Sequence, residues 1–311
     1  MLKYLLIILL GLNCETQNQI QNSFIEQFKN ISECPVEIQV SNELPINNNG
    51  GHIQGIQLLL AGEKTYAVAT GSSDLYSYYL VIKLNTKNEV ISVNRLLEKP
   101  FKHAGGFQIF EDYMAVGIED NLAKNKSKVC IYSLSNPEQA VTKPVSVIER
   151  DGEPERATAG CVGITKINDE FIIAVGDWNT EHIDFYTCEK GKIENGAFQK
   201  VYSINSKEIV KNQWINNNWL AYQNINLFNF NNQIYLIGLG VDNQEQNVAD
   251  LFILEWKLPD SIQLTKVASK TFSTTKNVSF KAGAGVCLEN EKIKIISSGY
   301  NTEKKTTINL F

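Results

Sequence analysis

Three histidines are the side chains in this chain best suited to exchanging protons near neutral pH, and two of them open the same short pattern. His52-Ile53-Gln54-Gly55-Ile56-Gln57 and His103-Ala104-Gly105-Gly106-Phe107-Gln108 both read His-x-x-Gly-x-Gln. The third, His182, stands close to Trp178 and Glu181 in a polar segment. A neutral imidazole can act as a general base. Carboxylates that follow apolar runs, at Asp74, Glu119, Asp120, Asp177 and Asp242, with Asn301 in the corresponding place, could serve as acids, hydrogen-bond acceptors or calcium ligands if they converge. Asp and Asn after a strand are also ordinary turn formers. Trp214 and Trp219 flank Asn216, Asn217 and Asn218, a pattern that either packs or stacks on a sugar.

Several chemistries are missing. No Gly-rich phosphate loop, HExxH or serine-triad order is present. Cys34, Cys130, Cys161, Cys188 and Cys287 form no CxxC pair and have no metal-like spacing to a histidine, so a zinc site is not expected. They read as small core residues. No cofactor and no metal is expected.

The elements that must position these groups emerge as a repeat. A block opens with a small-residue strand, passes a polar turn, and continues through an apolar strand ending near Gly, a polar loop and another apolar strand. It recurs with first positions at His52, His103, Thr158, Leu220 and Lys281, followed by Ile53, Ala104, Ala159, Ala221 and Ala282. A period of roughly 50–60 residues with three or four short strands per unit is the mark of a β-propeller. Small residues such as Gly105, Gly106, Gly160 and Gly283 suit inner strands crowded about an axis. Residues 90–95, 145–150, 198–204 and 262–271 read as outer strands. The last block lacks one, and Val36-Glu37-Ile38-Gln39-Val40 alternates as a strand should. The expected fold is therefore all-β, a five-bladed β-propeller over residues 34–311, closed by an N-terminal strand that completes the last blade. A β-sandwich pair or a six-bladed ring is the alternative.

In an antiparallel blade the start of the innermost strand and the end of the second lie on one face. His52 and His103 should thus share the channel mouth with the loop carboxylates and His182. The candidate ligand-binding set is His52, Gln57, His103, Gln108, Asp120, Asp177, His182 and Asp242. A paired His and Gln can instead be a hydrogen-bond device between blades. The His-x-Gly-Gly-x-Gln strand at His103 resembles that of uncharacterised secreted bacterial propellers, and Tyr132-Ser133-Leu134-Ser135-Asn136-Pro137 is similar to strand ends of bacterial surface repeats. The resemblance implies fold and export and carries no activity.

Residues 1–13 hold Lys3 and an apolar run from Tyr4 to Leu12, shorter than the about 20 residues of a membrane span and suited to a signal peptide. With Cys14 and the polar run after it, this end resembles a bacterial lipoprotein signal, which implies lipidation at Cys14. Residues 14–33 read as a polar tether with a possible short helix. A cleaved signal with an incidental Cys14 is the other reading. Export to a cell surface or periplasm is expected either way. A net charge of −5 offers no face for nucleic acid. The partners expected are a small polar ligand or a protein, with a membrane only through the anchor, and a monomer. Inner strands such as 52–60 and 222–228 carry no Asp or Glu, which counts against a glycosidase. The sequence therefore favours a binding module over a hydrolase or lyase with His52 or His103 as general base.

Overall fold

The computed structural model describes residues 23–47, 49, 51–189, 192–257 and 261–311. It is all-β and propeller-like, with two curled eight-stranded sheets and one four-stranded sheet. After β1 (Val36–Ser41) the strands run as antiparallel meanders. The first is β2 (Ile53–Ala61), β3 (Lys64–Gly71), β4 (Tyr76–Leu84) and β5 (Glu89–Glu98). The second is β6 (His103–Phe110), β7 (Tyr113–Glu119), β8 (Lys126–Ser133) and β9 (Ser146–Asp151). Next come β10 (Cys161–Ile167), β11 (Glu170–Gly176), β12 (His182–Cys188) and β13 (Gln199–Asn205). Then follow β14 (Asn224–Phe230), β15 (Gln233–Val241), β16 (Asn247–Lys257) and β17 (Ser261–Phe272). Last are β18 (Val278–Glu289), β19 (Lys292–Gly299) and β20 (Lys305–Leu310).

The run of meanders is completed from the other end of the chain. β1 pairs antiparallel with β20, Val36 opposite Leu310 and Ser41 opposite Lys305, as the alternation of residues 36–40 leads one to expect. The four outer strands expected from the sequence correspond to β5, β9, β13 and β17.

Local chemistry explains the hairpins. Type I′ turns need two residues with positive φ, which Asn and Asp tolerate best. β14–β15 turns on Asn231 and Asn232 at φ 52° and 64°, and β10–β11 on Asn168 and Asp169 at 46° and 68°. The inner strands crowd as expected. A Cβ on Gly105 would stand 2.2 Å from the Gly160 carbonyl oxygen, and one on Gly106 would stand 2.3 Å from that of Gln223. The core lies between meanders. Ala115 and Ile131, for instance, pack with Val162, Ile164 and Ile173.

Three expectations need correction. Ala104, Ala159 and Ala282 are fully buried, but Ala221 is exposed and Tyr222 takes the packing position, so the fourth block is out of register by one. Residues 23–29 form a helix that is not part of a free tether: Phe24 and Phe28 are fully buried, and Phe24 stacks on Tyr235 with ring centroids 4.2 Å apart. Among the cysteines Cys34 is exposed, while Cys130, Cys161 and Cys188 are buried. The signal peptide and Cys14 lie outside the described residues. No helix among the described residues is long and apolar enough to cross a membrane.

Candidate functional site

The axis is not an open channel lined by polar groups. Gln108, at the middle of β6, donates from Nε2 to the Leu227 carbonyl at 2.8 Å, and its Oε1 accepts from the Ile164 and Leu227 amides at 2.9 and 2.7 Å. One side chain thus ties together three inner strands. Gln57 donates to the Phe107 carbonyl at 3.2 Å, and Asn226 accepts from the Val286 amide at 2.8 Å. Gln57 and Gln108 are buried, so they act as cross-braces between meanders and not as ligand groups.

Two other candidates are turn formers. Asp120 Oδ1 accepts from the amides of Leu122 and Ala123, both at 3.1 Å. Asp242 Oδ1 accepts from those of Gln244 and Gln246, both at 2.9 Å. Asp74 and Asn301 stand exposed on the rim. The tryptophans pack: Trp214 Nε1 donates to the Leu264 carbonyl at 3.0 Å and Trp219 Nε1 to that of Thr180 at 2.9 Å.

The histidines do gather at one end of the axis. His52 is held by a chain of amides: Gln223 donates to Gln54 Oε1 at 2.7 Å, Gln54 Nε2 lies 3.2 Å from His52 Nε2, and His52 Nδ1 donates to the Ile53 carbonyl at 2.6 Å. Both ring nitrogens are therefore occupied, which leaves His52 without a lone pair for catalysis. His103 differs. Its Nε2 lies 3.7 Å from Glu119 Oε1, and its Nδ1 has only a long 3.4 Å contact from Asn121 Nδ2. Its side chain keeps 14% exposure at the mouth, while that of Glu119 has 1%.

Glu119 was visible in the sequence only as one of several carboxylates following a strand. It is instead the last residue of β7, directly opposite His103 in the ladder. Its Oε2 accepts from the Ala159 amide at 3.0 Å, and its Oε1 has no hydrogen-bond partner. Burial raises its carboxyl to about 7, although the Ala159 amide and Lys124 pull the other way and Asp177 adds a small push upward. Burial, reinforced by the positive fields of His52 and Lys102, pulls His103 down to about 4. At neutral pH the imidazole is neutral, and the carboxyl behind it is close to its midpoint.

A second acid–histidine pair stands next to the first. Asp177 accepts from the His182 amide at 2.9 Å, and its Oδ2 lies 2.7 Å from His182 Nδ1. Trp178, on the same loop, reaches within 6.3 Å of the His103 ring and carries Lys124 Nζ over its face at 3.7 Å. His103, Asp177 and His182 are thus brought together with Glu119, while Gln57, Gln108, Asp120 and Asp242 are not. Among the described residues no three His, Cys, Asp or Glu side chains converge on a position for a metal ion. The arrangement suits acid–base chemistry, with a neutral base at the surface and a proton-exchanging carboxyl beneath it.

No family model and no curated relative matches the chain. Solved structures match it in fold. One is a GH62 hydrolase in complex with xylotriose, at TM-score 0.51 and 10% identity, covering 88% of this chain and 97% of that one. Another is the GH43_1 enzyme from Xanthomonas citri complexed with xylose, at TM-score 0.51 and 9% identity, covering 85% and 88%. Both are enzymes, and this overturns the sequence-based preference for a non-catalytic binding module.

Proposed function

We propose that this chain is a hydrolase on a five-bladed β-propeller, with His103 as general base and Glu119 as its positioning partner. The observation that carries the reading is the His103–Glu119 pair itself. A neutral imidazole meets solvent at the end of the axis, backed at 3.7 Å by a buried carboxyl oxygen with no other partner. The five-fold count is supported by five successive four-stranded meanders, the last taking β1 as its outer strand.

The chemistry follows from the placement of the pair. Glu119 Oε1 faces Nε2 of His103 at 3.7 Å, beyond hydrogen-bond length; with the ring proton on Nε2, the Nδ1 lone pair is left to accept a proton from an attacking water. Burial disfavours the imidazolium that results, and an ionised Glu119 offsets part of that cost, the role of an orienting acid in a catalytic dyad. The 3.4 Å contact from Asn121 is loose enough for a water to displace it.

The base stands at the start of an inner strand, but the acid is at the end of a second strand, because β2, β6, β10 and β14 carry no Asp or Glu. This departs from a plan with acids on inner strands, so ester and lactone substrates belong in the test beside glycosides. The solved hydrolases hold xylotriose and xylose, which makes aryl xylosides and arabinosides the first glycosides to try.

The test is turnover of such a panel by the purified chain. His103→Ala should lower kcat at least about a hundredfold. Glu119→Gln should lower kcat and remove the limb of the pH profile near 7, an effect that a packing role would not have. Wild-type turnover by His103→Ala on every substrate that the chain cleaves, or no cleavage of any panel member, would refute the reading.

A further inference from the structure

The hydrolysis proposed above has a base for the attacking water but no proton donor for the leaving group. A second imidazole at the same end of the axis is arranged for that task. Asp177 follows β11, and His182 opens β12. Asp177 Oδ2 lies 2.7 Å from His182 Nδ1. A carboxylate oxygen can only accept, so a ring proton sits on Nδ1 and Nε2 is turned away from Asp177. Among the described residues nothing hydrogen-bonds to that Nε2, and the side chain keeps 25% exposure.

The imidazole is not what closes the loop. The Asp177 amide donates to the His182 carbonyl at 3.1 Å, the Thr180 amide to the Asp177 carbonyl at 2.9 Å, and the His182 amide to Asp177 Oδ1 at 2.9 Å. None of the three uses the ring at position 182. The loop is also pinned by the segment before β14. Thr180 Oγ1 donates to the Tyr222 carbonyl at 2.8 Å and Trp219 Nε1 to that of Thr180 at 2.9 Å, holding a β-branched residue at a φ of 55°. Backbone strain held in place by its surroundings is one form of preorganisation.

His182 and His103 stand on linked elements. The Trp178 amide donates to the Glu155 carbonyl at 3.3 Å, and the Glu155 amide to that of Lys124 at 2.9 Å. These bonds tie the loop after β11 to the loop after β7. The Trp178 ring, one residue from Asp177, comes within 6.3 Å of the His103 ring.

We propose that His182 is the general acid of this reaction, giving a proton from Nε2 to the leaving alcohol oxygen, with Asp177 as its positioning residue. The assignment rests on the hydrolase reading. Water bonds to the substrate carbon as it gives one proton to His103 Nδ1. The bond from that carbon to the leaving oxygen breaks, its electron pair stays on that oxygen, and the proton from His182 Nε2 neutralises it. An alcohol departs, and one proton passes through solvent from His103 back to His182. The Asp177 carboxylate supports the charged ring that enters the step through a charge-assisted hydrogen bond.

Two measurements on the full chain test the assignment. The first reads the imidazole nitrogen resonances and needs no substrate; those lost in His182→Ala, or moved in Asp177→Asn, identify His182. In its neutral form His182 should carry its proton on Nδ1. Asp177→Asn turns an amide N–H toward Nδ1 and should move that proton to Nε2. The second measurement takes the glycosyl or acyl group that the chain cleaves and compares it on methanol and on 4-nitrophenol, which leaves as a stable anion. His182→Ala should lower kcat about a hundredfold on the methyl compound and less than about tenfold on the nitrophenyl one. A packing role would lower both alike, as loss of His103 should. Equal losses in His182→Ala, or a wild-type proton on Nε2, overturn the assignment; turnover abolished by His103→Ala then leaves the hydrolase reading standing. No cleavage by the wild-type chain ends both, whatever the tautomer. If His182→Ala does not fold, the tautomer and the same unequal losses in Asp177→Asn decide in its place.

Discussion

The two copies of the His-x-x-Gly-x-Gln pattern should respond very differently to one substitution. Gln108→Leu removes three buried hydrogen bonds and leaves the amides of Ile164 and Leu227, together with the Leu227 carbonyl, without their side-chain partner inside the core. An orphaned buried polar group costs about 1–3 kcal/mol, so the three together should cost about 3–9 kcal/mol. Gln57→Leu, at the matching place in the first repeat, removes a single 3.2 Å bond, and the Phe107 carbonyl keeps a 3.5 Å donor in Asn226. It also deletes an Oε1 that has no partner, a gain that offsets the loss and brings the net near zero. The difference of about 3–9 kcal/mol should appear as a large drop in urea midpoint for Gln108→Leu at unchanged slope, and almost none for Gln57→Leu. Equal midpoints for the two variants, or a loss below about 1 kcal/mol for Gln108→Leu, would refute the assignment of Gln108 as the brace of the axis.

Glu119 should make stability fall with pH. Its folded pKa is raised to about 7, so the stability it contributes is fully present below the ordinary glutamate range and is lost as pH rises through about 7. Glu119→Gln should therefore match the wild type near pH 4 and exceed it at pH 8, by up to about 3 kcal/mol, in denaturant titrations run across pH. Asp184 is held well below the usual carboxylate range: Arg156, Arg150, Lys200 and Ser203 outweigh the cost of its burial. Asp184→Asn strands the buried Arg150 guanidinium, 2.7 Å from the lost carboxylate, and should cost about 3–5 kcal/mol at pH 7. That penalty should shrink as pH falls toward the depressed pKa. Phe24→Ala should cost about 3–5 kcal/mol and expose residues 23–29 to limited proteolysis, whereas a free tether would give no change in midpoint.

The sequence made the frame legible because period-2 alternation and glycine crowding are local signals. Val36-Glu37-Ile38-Gln39-Val40 announced β1, and the small residues at Gly105 and Gly106 announced an inner strand. The site was legible in part. The shared face of the three histidines follows from strand direction alone, but the dyad does not. Tyr113 pairs with Phe110, and the ladder runs evenly to Val116 opposite Phe107; it then slips by one residue at Gly105-Gly106. Without that slip Glu119 would face Ala104, and His103 would stand opposite Asp120, whose carboxylate is spent on its own loop. A bulge of this kind is set by the close approach of Gly160 and Gln223 across the axis, which no local pattern records. The same blindness put Asp120 and Asp242 among the site residues: whether a carboxylate caps its own loop or faces the axis depends on side-chain direction after the turn. Residues 23–29 were hidden for a related reason. A single helical turn of apolar spacing does not reveal the groove that will receive it.

The pairing of β1 with β20 also bears on how the chain is made. On a ribosome β1 emerges long before its partner β20, so at about 5–20 residues per second it waits roughly tens of seconds with one edge unsatisfied. Its composition fits that wait. Val36 and Glu37 stay largely solvent-facing even in the finished fold, so the strand gives up little by standing in water, and Glu37 places a charge where a neighbouring nascent chain would otherwise add on. β20 acts as the latch. Until β20 is in place, the first and last meanders share no ladder, and a nascent chain stalled before residue 305 should stay open to proteases at both ends together.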